Sequence, residues 1–297
     1  MTRRILVALN LAVLAVAPSR EPAVVEVPFT SPRHQVVVQV TLDGHGPYPM
    51  LLDTGTDPSA VDATLARSLR APGDTTLHEG SGTGAGPIRG FDWPMRNVRV
   101  GGVHADRVAS GATDLSRPAA RLGIALAGVL GYSFLAGRIV QIDYPRHVVR
   151  FYRDQPPPPT HTLMAEFPLR PDTLDAIPRI RGRVNGRPAW IAYDSGASGA
   201  LGISPMAIER LGLADAFAAA RPDSATGYGG RIDTRRGRVP LVELGPLKFA
   251  DVECTFVGAH GGMLADTSLA HARIGNALLD SVVVTLDYRA MRVRFER

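Results

Sequence analysis

The chain has 297 residues, 45% of them apolar, and a formal net charge of +5. That length and apolar share suffice for one large core or two moderate ones and exclude a disordered chain. Lys248 is the single lysine and the arginines are spread along the whole sequence, so a solvated surface accounts for the charge better than a nucleic-acid face.

At the N-terminus Arg3-Arg4 precede an apolar stretch from Ile5 to Ala17, broken by Asn10 and ending in Ala15-Val16-Ala17. This is the layout of a secretory signal, and it is short for a membrane-spanning helix. Residues 1–23 are expected to be a signal peptide, or an uncleaved N-terminal anchor because Pro18 fits a cut after Ala17 poorly, and the protein to be secreted or periplasmic. A first lobe is expected over 24–153 and a second over 163–297, joined by a linker at 154–162 that Pro156 to Pro159 stiffen.

Most local patterns are of β type, with alternating or β-branched runs at Val36 to Leu42, Val98 to Val103, Ile139 to Ile142, Val148 to Phe151, Val239 to Leu244 and Val282 to Leu286. Helices are expected to be few and short. Asp62 suits the cap of a helix over Ala63 to Leu69, and Ser204 followed by Pro205 suits the start of another that runs to Leu211 and stops at Gly212. Cys254 is the only cysteine, which excludes an intrachain disulfide; it alternates with Val252 and Phe256, the position of a buried structural thiol.

Two segments nearly repeat one another: Met50-Leu51-Leu52-Asp53-Thr54-Gly55-Thr56 and Trp190-Ile191-Ala192-Tyr193-Asp194-Ser195-Gly196-Ala197. Each is an apolar run that delivers an Asp into a tight turn. The repetition extends further. Phe134 to Arg153 aligns without a gap on Leu278 to Arg297 at an offset of 287 − 143 = 144, close to the motif offset of 194 − 53 = 141. Val25 to Phe29 answers Ala165 to Leu169, and Gly128-Val129-Leu130-Gly131 answers Ala272-Arg273-Ile274-Gly275. One unit is written twice, at a period that means two domain-sized lobes.

If the lobes pack about a twofold axis, Asp53 and Asp194 meet. Two close carboxylates share a proton, so one accepts a proton from water while the other donates one to a substrate carbonyl.

The paired Asp53-Thr54-Gly55-Thr56 and Asp194-Ser195-Gly196-Ala197 motifs, with Leu130-Gly131 and Ile274-Gly275, resemble the pepsin and retropepsin superfamily of aspartic proteases, and each half is similar to the bacterial retropepsin-like domain. The resemblance implies a mostly β, bilobal pepsin-like fold of two β-barrel lobes and an endopeptidase acting on peptide or protein substrates. It implies no metal or organic cofactor, and a site that one chain completes, so that a monomer suffices. On it Asp53 and Asp194 are the catalytic pair, Gly55 and Gly196 permit the turns, Thr54 and Ser195 brace the loops against one another, and Thr56 hydrogen-bonds Asp53. Ala197 has no hydroxyl to do the same for Asp194, which is expected to leave the second carboxylate harder to deprotonate.

A tyrosine-bearing flap is not found at the first-lobe position, Gly80 to Gly90, whereas Thr226-Gly227-Tyr228-Gly229-Gly230 in the second lobe carries Tyr228 as a candidate flap residue. A phosphate loop at Gly80 to Gly86 lacks its Lys-Ser/Thr, the eight histidines show no zinc spacing, and Gly196 to Ala200 lacks the nucleophile-elbow spacing. Two alternatives stay open: a peptide-binding module on the same scaffold without efficient turnover, suggested by Ala197 and Asp57-Pro58, and an interaction protein of the cell envelope.

Overall fold

A computed structural model describes residues 23–70, 76–80, 82, 84, 86–169, 177–258 and 270–297. The expected signal segment lies, except for its last residue, outside the described residues. Among the described residues no helix is long and apolar enough to cross a membrane.

Strand makes up 51% and helix 13%, and the fold is mostly β and bilobal. Alternation drives the strands: Val37–Leu42 buries Val38, Val40 and Leu42 on one face. The first lobe is a nine-stranded sheet and the second a seven-stranded sheet that closes on itself through pairing of Arg179–Val184 with Gly230–Leu244. Both sheets repeat one pattern around their acidic motif. His45–Leu52, which leads into Asp53, runs parallel to Gly128–Leu130, and that strand runs antiparallel to Ser59–Asp62. Arg187–Tyr193, which leads into Asp194, runs parallel to Ala272–Ile274, and that strand runs antiparallel to Leu201–Ile203.

A third, six-stranded sheet joins the lobes, and its order is a palindrome. Val24–Pro28, Val148–Tyr152 and Ile139–Asp143 from the first half meet Val283–Asp287, Arg292–Glu296 and Met164–Pro168 from the second. At the centre Ile139 faces Asp287, Asp143 faces Val283, and Gln141 faces Thr285. Gln141 Nε2 donates to Thr285 Oγ1 at 3.0 Å, and 285 − 141 = 144 is the offset of the sequence repeat. The pseudo-twofold axis therefore passes between equivalent residues. One buried apolar cluster draws side chains from both halves, from Val27 to Phe295.

The helix over Ala63–Leu69 forms as expected, with the Asp62 carboxylate accepting from the amides of Thr64 and Leu65 at 2.9 and 3.2 Å. The second expected helix is shorter, Ala207–Arg210, because the Ser204 hydroxyl donates to the His271 carbonyl and does not cap the turn that follows. Ala214–Ala218 adds a helix that was not expected; Phe217 anchors it edge-on against Phe256, with ring centroids 5.4 Å apart. The run at Val98 to Val103 divides between Met95–Val100 and Val103–Val108, since Gly101 adopts a φ of +56° and turns the chain. The strand expected at Val239 to Leu244 begins at Gly230, its first half disguised by four arginines. Cys254 is buried, and burial pushes its thiol up to about 12.

Candidate active site

The two acidic turns meet on the axis. Thr54 and Ser195 make four hydrogen bonds across it, two of them with one another. The Thr54 amide donates to Ser195 Oγ and the Ser195 amide to Thr54 Oγ1, each at 3.0 Å. Each hydroxyl then donates to the opposite strand: Thr54 Oγ1 to the Tyr193 carbonyl at 3.0 Å, and Ser195 Oγ to the Leu52 carbonyl at 2.7 Å. Both side chains are buried, so every polar atom of the brace is satisfied without water.

Above the brace, Gly55 donates its amide to Asp53 Oδ1 at 2.7 Å and Gly196 donates to Asp194 Oδ1 at 2.9 Å. These glycines also make room. A Cβ on Gly55 would stand 2.6 Å from Asp194 Oδ1, and one on Gly196 would collide with the Asp53 carboxylate. Each carboxylate thus rests on the other lobe's turn, and the two are within hydrogen-bonding reach of one another. Gly131 and Gly275 admit the turns from behind: a Cβ on Gly275 would lie 2.6 Å from the Ala197 carbonyl, and one on Gly131 would overlap that of Thr56. Beneath Ser195, the buried Asn276 donates to its carbonyl at 2.7 Å and accepts from the Tyr144 hydroxyl at 2.6 Å.

Both carboxylates are almost fully buried, Asp53 with 4% and Asp194 with 6% of its surface exposed. Burial first, and then the charge of Asp194, push the Asp53 carboxyl up to about 7 against the opposing hydrogen bonds from Thr56 and Gly55. Thr56 Oγ1 donates to Asp53 Oδ2 at 2.8 Å, as expected. The second lobe differs. Ala197 indeed offers no hydroxyl, but the Arg273 guanidinium occupies that place, donating from Nη1 to Asp194 Oδ2 at 2.9 Å. A neutral hydrogen bond on one carboxylate is answered by a charged one on the other. Arg273 reaches Asp194 because its strand lies parallel to the strand that carries the Asp, with Ala192 opposite Arg273 and the Asp194 amide bonded to the Ile274 carbonyl at 3.1 Å.

A family model described as aspartyl protease matches residues 38–134 and 180–284, once in each lobe. The chain belongs to the aspartyl protease family. No curated protein sequence matches it at a significant level.

Asp53 and Asp194 both line a cleft of about 860 Å³. Two hairpins cover it. His78–Gly80 pairs with Ile88–Asp92 in the first lobe, and Arg221–Gly227 pairs with Gly230–Leu244 in the second. Their tips touch, the Gly86 amide donating to the Gly229 carbonyl at 2.8 Å. Tyr228 sits at the second tip, half-buried against Val37, Leu51, Leu122, Leu126 and Val129 of the other lobe. Its phenol is held well above the usual tyrosine range by burial and by the nearby Asp53 and Asp194 charges. Among the described residues no three His, Cys, Asp or Glu side chains gather as a ligand set for a metal ion.

Sequence reasoning missed Arg273 and Gln35. The signal for the first was present: Ala272-Arg273-Ile274-Gly275 places a cation where Gly128-Val129-Leu130-Gly131 has Val129. Gln35, buried in the first lobe, donates to the Gly196 carbonyl across the axis, and no local pattern marked it.

Proposed function

We propose that this aspartyl protease is an endopeptidase that hydrolyses peptide bonds with a water activated between Asp53 and Asp194. The observation that carries the reading is the pair of buried carboxylates, each packed against the other lobe's glycine turn and held by the Thr54–Ser195 brace at the wall of a cleft. The dyad's negative charge belongs on Asp194, where Arg273 and the Gly196 amide stabilise it. Asp53, raised to about 7, carries the proton below that pH.

In that state Asp194 takes a proton from water as the oxygen attacks the scissile carbonyl, and Asp53 donates its proton to the carbonyl oxygen. The tetrahedral diol then collapses: the proton that Asp194 took from water passes to the departing amine, Asp53 takes the proton of one diol hydroxyl as the carboxylic acid forms, and the dyad returns to one proton. Water is excluded and substrate admitted by the two hairpins, so the contact between Gly86 and Gly229 must open in each turnover. Both acids come from one chain, so a monomer completes the site, and the signal-like pattern of the N-terminal residues supports reading the protein as exported.

Cleavage of a mixed peptide library between acid and neutral pH, by the wild type and by Asp53→Asn and Asp194→Asn, tests this. Loss of cutting in both variants is expected. Cutting that survives either substitution would refute the dyad, and peptide binding by the wild type with no cutting would make the chain a binding module.

A further inference from the structure

We propose that Arg33 and Arg121 form a subsite for an acidic side chain of the substrate, giving the enzyme a preference for Asp or Glu close to the bond it cuts. The inference rests on the reading of the cleft as a peptide site. Arg121 ends the helix Ser116–Leu122 and points into the cleft, where its Nη1 donates to Ser198 Oγ at 3.2 Å and its Nη2 to Gln35 Oε1 at 3.0 Å. Both acceptors are neutral. Gln35 in turn donates to the Gly196 carbonyl, and Gly196 gives its amide to Asp194, so Arg121 is joined to the dyad through one side chain.

Arg33 lies beside it, exposed, in a turn where its own φ is +50°. Among the described residues neither arginine makes an ion pair, and each charge repels the other. Burial and that repulsion depress the Arg121 guanidinium. Two uncompensated cations at the wall of a cleft are a standing demand for an anion, and an extended peptide supplies one as a side chain. The surroundings agree. The cleft continues past Arg33, Arg121 and Ser198 into a groove of about 790 Å³ lined also by His34, Arg236, Lys248 and Arg297, with Glu253 the single acid on its wall. Arg236 and Lys248 already hold the carboxylates of Asp223 and Glu243, and Arg297 lies over the Phe249 ring and donates to the Lys248 carbonyl, whereas Arg33 and Arg121 stand together where the cleft meets the groove. Arg273, the other guanidinium aimed at the dyad, is compensated by Asp194.

A carboxylate held by one guanidinium fork and a second cation is worth about ten-fold to a hundred-fold over its amide. The test is a positional-scanning peptide library with amidated C-termini, carrying Glu or Gln at each position in turn. Cleavage is measured with the wild type, Arg33→Gln, Arg121→Met and Arg121→Lys, and binding by fluorescence anisotropy with Asp53→Asn. At one position the wild type is expected to favour Glu about ten-fold or more in kcat/KM, chiefly through KM, with the preference shrinking as salt screens the exposed Arg33. Arg33→Gln should reduce that ratio, Arg121→Met bring it close to one, and Arg121→Lys retain part of it. Equal cutting of Glu and Gln peptides at every position by the wild type overturns the subsite and leaves the endopeptidase standing. A Glu preference in binding without cutting by the wild type supports the subsite and overturns the endopeptidase, and binding of neither peptide overturns both.

Discussion

Replacing Arg273 with Met keeps the length of its stem and removes one charge from the dyad. In the wild type the Nη1 to Oδ2 distance of 2.9 Å, with 9% of the Asp194 side chain exposed, places a full positive charge against a desolvated carboxylate. Catalysis by the proposed route needs the singly protonated pair, so its acid limb reports entry of the second proton; losing a cation from beside the pair favours that entry, and the limb moves up. The alkaline limb reports loss of the last proton, held to about 7 on Asp53 chiefly by burial. The active window therefore narrows from its acid side. A second substitution separates charge from mere damage. Position 197 stands to Asp194 as Thr56 stands to Asp53, since 197 − 194 = 56 − 53 = 3, so Ala197→Thr added to Arg273→Met restores a hydroxyl donor and should recover part of the shift. Ala197→Thr alone should leave the limb in place, because the guanidinium already occupies Oδ2. The assay is the pH dependence of kcat/KM on a quenched fluorescent peptide for all four proteins. An acid limb that does not move in Arg273→Met would refute the assignment of charge to Asp194.

Three further outcomes follow from the same geometry. Asp53 binds its proton more tightly folded than unfolded, so its stabilising contribution is complete below the unfolded value of 3.8 and is lost as pH rises through about 7. Asp53→Asn should accordingly raise the melting temperature more at pH ~8 than at pH ~4 by scanning calorimetry, an effect on the order of a few kcal/mol. Thr54→Val removes one donor and one acceptor from the brace and strands the Ser195 amide and the Tyr193 carbonyl in a dry interior, at about 2–5 kcal/mol in urea unfolding, with activity falling in parallel. Tyr228→Ala should vacate the apolar recess formed by Val37, Leu51, Leu122, Leu126 and Val129 and change the side-chain preference of cleavage while the acid limb stays put; an unchanged preference would mean that the tyrosine only covers the site.

The duplication made the broad architecture legible. Period-two alternation marked the strands that are half apolar, and the Asp62 cap marked its helix because the signal is local. What failed was non-local or masked by charge. The strand from Gly230 hides behind Arg231, Arg235, Arg236 and Arg238, three of them exposed and Arg235 half-buried over the Phe217 ring, which mask the alternation of the buried Ile232 and Thr234. Ser204 looked like a cap because nothing local reveals that the His271 carbonyl, 67 residues away, competes for its hydroxyl. The two Asp residues were visible by their repetition, but the partners that differentiate them were not. Arg273 follows Asp194 by 79 residues and meets it only through a parallel pairing that the sequence does not display.

That differentiation is where the duplication matters for chemistry. A strict twofold repeat would give its two carboxylates the same surroundings and the same affinity for the proton they share, so neither would be committed to the role of acid or base. The brace is close to symmetric: paired amide-to-hydroxyl bonds of equal length join residues 141 positions apart. Symmetry serves it well, because the brace only has to hold the turns together. Around the carboxylates the symmetry is broken by exchanges that include Thr56 against Ala197 and Val129 against Arg273. One carboxylate accepts a neutral hydroxyl hydrogen bond and the other a charged guanidinium one, the asymmetry that the proposed mechanism uses to divide the roles of acid and base. The repeat supplies the position of the two groups, and the departure from the repeat distinguishes their surroundings. The proposed mechanism draws its direction of proton transfer from that difference, which is why the Arg273 and Ala197 variants test it more sharply than removal of either Asp.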